Sequence, residues 1–229
     1  GGKDSHRGGA AHRYHQQDSI TRQENAFLRQ NYKLMLLDLF TYFAKFPASA
    51  GITKGIATKG ESRMEEYATV LTMLGNMPEK EKELVPEIEN YVYGQSFDEL
   101  KQRIDKLTGS FLFVDYGEVD MQGDGRRSFE CTQRIAVTVA MKMPATSDML
   151  ERIIANDRTL QMLSKIHARI MADAEREELY WMDRDSVANC EIIPFVSAEL
   201  QSYGWTLMLS ATGADILDTH RIARKMMKG

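Results

Sequence analysis

Cysteine is almost missing: Cys131 and Cys190 are the two in 229 residues. That excludes the dense disulfide framework of a small secreted domain. A single bridge between them stays open, and a reducing cytoplasm is the simpler setting. No apolar run reaches the roughly 18–20 residues that a membrane span needs, and the first residues carry no signal-type apolar stretch. Neither charge dominates, with a net charge of -4 and a pI near 5.8. This removes a global reason to bind nucleic acid or an anionic membrane. Recognisable catalytic motifs are missing too: there is no G-x-S-x-G elbow, no H-E-x-x-H and no CxxC pair.

What is there is an ordinary globular composition, 43% hydrophobic and 27% charged. The length suits one domain with an appendage, or two small ones. The clearest element is 129–143, FECTQRIAVTVAMKM. Phe129, Cys131, Ile135, Val137, Val139, Met141 and Met143 fall on one side at period two, and only Gln133 breaks the row. Glu130, Thr132, Arg134, Thr138 and Lys142 fall on the other. This predicts a long antiparallel strand with one face in a core and one in water.

Along the chain, residues 1–18 hold three of the five histidines, four glycines and little to bury, which predicts a disordered arm. His12 and His15 lack a third ligand, so no metal site is expected. Asp18 or Ser19 can cap a helix reaching about Phe46, apolar nearly all round from Leu34 on; Pro47 ends it. The glycine-spaced stretch 47–62 reads as a flexible linker, because Glu61 and Ser62 stand where a phosphate loop needs Lys and Ser or Thr. A helix is expected over about 61–76, with Met64, Tyr67, Ala68, Leu71 and Leu74 on one face. Another is expected after Pro78, opening on the charge run EKEKE as a solvated first turn and carrying Leu84, Val85, Ile88, Tyr91 and Val92. Ser96 and Glu99 form a capping box for a helix with Leu100, Ile104 and Leu107, stopped by Gly109.

From there the pattern changes to strands. Residues 110–119 and 129–143 form a hairpin across the turn 120–127. Thr146 or Ser147 caps a helix to about Glu178, with Met149, Leu150, Ile153, Ile154, Leu160, Leu163, Ile166, Ile170 and Met171 as one continuous apolar side. His167 sits beside that stripe as a core-edge histidine. Residues 190–196 and 203–210 form the last two strands; Pro194 marks the former as an edge or a bulge. A short helix from Asp215 ends in Arg221, Arg224, Lys225 and Lys228, cations suited to a helix C-terminus.

The fold class expected is α+β: an antiparallel four-stranded sheet of two hairpins, packed on one long helix. Residues 1–18 are the arm, 19–94 a helical N-terminal part and 95–229 the α+β domain. The sheet's second face carries Thr132, Arg134, Thr138, Lys142 and Thr206, and is expected to meet water or a neighbour. The carboxylates Asp115, Glu118, Asp120 and Asp124 are the best candidates for acid–base or Mg²⁺ chemistry. Asp115 and Glu118 alternate faces, however, and would converge only if a bulge at Gly117 turned the strand. An ordinary polar hairpin is the favoured reading. Asp183 and Asp185 likewise have no partner to perturb them.

The run GSFLFVDYGEVD at 109–120, the strand RIAVTVAMKM at 134–143, the long helix and SYGWTLMLSAT at 202–212 resemble tail-completion or tail-terminator-like proteins of tailed phages. The resemblance covers about residues 96–212 and leaves the helical part unexplained. It implies a non-enzymatic assembly subunit of a phage or prophage particle, joining a ring at the head–tail junction or tail end. Copies of the same chain and other virion proteins are then the expected partners, in the host cytoplasm or the virion. No cofactor, metal, membrane or small-molecule substrate is expected. The expected interface is the hairpin, with Asp115, Glu118, Asp120, Asp124, Arg126 and Arg127, together with Phe40 and Phe43. A competing expectation is an intracellular binding or regulatory module, whose helical part and cations Arg221, Arg224, Lys225 and Lys228 engage a partner.

Overall fold

Five strands, not four, form the sheet, in the spatial order β1-β2-β3-β5-β4. They are β1 (Asn90–Gly94), β2 (Ser110–Gly123), β3 (Phe129–Lys142), β4 (Glu191–Ser197) and β5 (Ser202–Ala214). The computed structural model describes residues 35–54, 57–95, 97–123, 129–176, 179, 182 and 184–214. Helices α1 (Met35–Phe43), α2 (Ser49–Thr53), α3 (Glu65–Gly75), α4 (Phe97–Ile104), α5 (Met149–Glu175) and α6 (Arg184–Ala188) surround the sheet. The expected arm 1–18, the first part of the expected helix to residue 34, Ser96 and the hairpin tip 124–128 lie outside the described residues, as do Asp183 and 215–229.

The two hairpins are present, and β3 pairs antiparallel with both β2 and β5 along nearly its whole length. The fifth strand, β1, lies where a helix was expected after Pro78, and it pairs parallel with β2. The charge run forms only a 3₁₀ turn, Glu79–Glu81. Glu83 at φ 49 and Pro86 prevent a helix from continuing. Tyr91, Val92 and Tyr93 then suit a pleated, half-buried surface better than a helix. Asn90 Nδ2 donates to Thr108 O at 2.8 Å and Ser110 O at 2.9 Å, tying β1 to the start of β2. A parallel pair needs a crossover, and the segment containing α4 supplies it.

One face of the sheet packs under α1 and α5. Leu112, Val114, Ile135, Val137, Val139, Leu207 and Leu209 meet Leu39, Phe43, Leu163, Ile166 and Ile170 there. The opposite face is not left wholly to water. Val92, Phe111, Phe113 and Ala140 form a second cluster with Ile104 and Leu107 of the crossover and Leu200 of the β4–β5 turn. Thr138 and Thr206 on that face are buried and bonded hydroxyl to hydroxyl at 2.8 Å.

Three local expectations need correction. The stretch 47–62 is not simply a linker: it contains α2, where Ile52 is buried and Gly51 lies directly on the Glu89 backbone, leaving no room for a Cβ. Helix α3 is present but buries no residue, so its apolar stripe is a partly exposed surface. Helix α5 is capped by Asp148, whose Oδ1 accepts from Glu151 N at 2.8 Å while Glu151 Oε2 accepts from Asp148 N at 2.9 Å. Ser147 is instead drawn into a turn, its N donating to Pro144 O.

Candidate functional site

Among the described hairpin carboxylates, Asp115 and Asp120 do not converge. The register between β2 and β3 shifts between Tyr116 and Val119, so the bulge that would turn the strand is present. It places Asp115, paired with Ala136, and Asp120, paired with Thr132, on one face of the sheet. Those partners are four residues apart on β3, which is roughly 13 Å of strand. Neither a shared proton nor a shared ion is possible over that span. Burial pushes the half-buried Asp115 carboxyl up from its ordinary value, while Glu118 and Asp120 are exposed. Among the described residues no group of three or more His, Cys, Asp or Glu is placed to hold a metal. Asp124, Arg126 and Arg127 lie outside the described residues, and so do Arg221, Arg224, Lys225 and Lys228.

Phe40 and Phe43 serve the chain's own interior. Phe43 is 0% exposed. Phe40 packs tilted against Tyr91 and edge-on against Tyr93, with ring centroids 5.4 and 5.3 Å away. The apolar character of α1 is therefore spent on covering β1 and β2, although Leu36 at its start stays exposed.

One cysteine–histidine pair does come together. Cys190 Sγ lies 3.3 Å from His167 Nε2, and Val187 O lies 3.0 Å from the same nitrogen. With the carbonyl accepting the Nε2 proton, that nitrogen cannot also take a proton from the thiol. Burial pushes the thiol up, and this outweighs a backbone hydrogen bond that lowers it, so it stays protonated. A nucleophile needs the opposite shift. The contact joins α5 to the segment after α6 and has a structural role.

A second polar group is likewise structural. Asp173, 1% exposed, accepts from Tyr42 Oη at 2.9 Å and from Arg169 Nε at 2.7 Å. Arg169 also donates to Glu81 Oε2 at 2.8 Å, where Lys45 Nζ donates at 3.1 Å. Burial acts to raise the Glu81 carboxyl, but hydrogen bonds from Lys45 and Arg169 outweigh it and hold the carboxyl below its ordinary value. The alternating charges clamp α1 and the 3₁₀ turn to α5 and satisfy a buried carboxylate that would otherwise be costly. The expected solvated charge run thus contributes one partly buried residue, Glu81, to this clamp.

The feature with no structural employment is apolar and external. The stripe of α5 is not continuous with the core. Leu163, Ile166 and Ile170 are fully buried, but Met149, Leu150, Ile153 and Ile154 are 76%, 64%, 55% and 42% exposed. The first turns of α5 sit over the start of β5: Arg152 lies over the Tyr203 ring at 5.3 Å, and Trp205 Nε1 donates to Asn156 O at 2.9 Å. Tyr203 and Trp205 are register partners of Val196 and Pro194, so the side chains of β4 at those positions share that face. Val196 is 64% exposed and Ile192, on the same face, 37%. Exposed apolar side chains thus occur both on the first turns of α5 and on the edge strand β4. The periodicity that marks them as apolar was legible; that nothing in the chain's described part covers them was not.

The chain matches no family model, no curated protein and no solved structure.

Proposed function

We propose that the chain is a non-enzymatic assembly subunit of a phage or prophage particle, of the tail-completion or head–tail-junction type, that joins other subunits in a ring. The observation that carries the reading is the exposure of the apolar side chains Met149, Leu150, Ile153 and Ile154 on α5 and of Ile192 and Val196 on the edge strand β4. Water-facing apolar groups at this density mark sites of protein association. Support also comes from the open edge strand β4, since assembly through sheet edges is what the resemblance to tail-completion proteins implies. The titratable groups that meet, Cys190 with His167 and Asp173 with Arg169, are employed in packing rather than chemistry. The apolar surface, not the carboxylate hairpin, is where neighbours are placed in this reading.

The test is made on particles. Particles purified from cells carrying this chain contain it in fixed proportion, and cells deleted for it accumulate heads and tails that fail to join. Normal joined particles without the chain, and none of the chain in purified particles, would falsify the reading.

A further inference from the structure

We draw no further inference here: the strongest candidate, the exposed apolar side chains on the first turns of α5 and on the edge strand β4, carries nothing beyond the assembly reading because nothing in the structure shows what covers them.

Discussion

The two edges of the sheet are built on opposite terms. Strand β1 reads Asn-Tyr-Val-Tyr-Gly and is buried through its first three residues. Strand β4 reads Glu-Ile-Ile-Pro-Phe-Val-Ser, the more apolar sequence, and is mostly exposed. Composition alone would assign them the other way round. The difference lies in what wraps each edge. Tyr91 Oη donates to Phe40 O at 2.8 Å and Tyr93 Oη to Leu36 O at 2.6 Å, so α1 lies across β1. Ala48 N donates to Ile88 O at 2.9 Å, and Gly51 of α2 closes on the Glu89 backbone beside it. Toward the other edge, on the same face as α1, α5 lies over β3 and β5 and stops short of β4. An edge wrapped by its own chain is finished; an unwrapped apolar edge is available to another chain.

The comparison breaks first at the closed edge. Phe43→Ala, which removes a fully buried ring packed over β1 and β2, is expected to cost about 3–5 kcal/mol in denaturant unfolding. A loss below about 1 kcal/mol would mean that α1 is not part of the cooperative unit. Next comes Asp173→Asn, which removes the buried one of the two carboxylates that Arg169 pairs with and leaves it Glu81. It is expected to cost roughly 2–4 kcal/mol by the same measurement, at the lower end because Arg169 is partly solvated.

A smaller effect is acid sensitivity of the same clamp. The folded state holds the Glu81 carboxyl below its ordinary value near 4.5, so its contribution is fully present above that pH and lost as pH falls through the lower folded value. Unfolding free energy measured down through that window should fall less steeply for Glu81→Gln than for wild type. Equal slopes would show that the ion pair adds nothing to folding. Smallest, and most telling for the open edge, is Ile192→Ser. Exposed on β4, it should change the unfolding of the isolated subunit by about 0.5 kcal/mol or less. A large loss would show that β4 is covered within the subunit after all.

Much of the α+β half was legible. Strict alternation in β3 and the apolar runs of β2 and β5 survive as strands because a period of two has no helical counterpart. The helix α5 was legible from its period, within a few residues at each end. Strand β1 was not, because five residues with Tyr-Val-Tyr fit a helix turn as well as a strand when read alone. Its partner β2 lies some twenty residues on, and only that pairing decides the matter. The bulge between Tyr116 and Val119 was foreseen as a condition at Gly117, yet it brings Asp115 and Asp120 to one face without bringing them together.

By itself, then, the sequence determined which residues are apolar, their period, and so the central hairpins and the long helix, because local sterics and alternation act on neighbouring residues. Only the tertiary structure decided which apolar residues are used. Leu150, Ile153 and Ile154 are as apolar as Leu163, Ile166 and Ile170 but lie on a different side of α5, out of helical phase with them. The sheet took the side of α5 that carries Ala155, Thr159, Leu163, Ile166 and Ile170, and left Leu150, Ile153 and Ile154 on an exposed side. Burial is a property of what arrives opposite a side chain, and no spacing along one helix contains that.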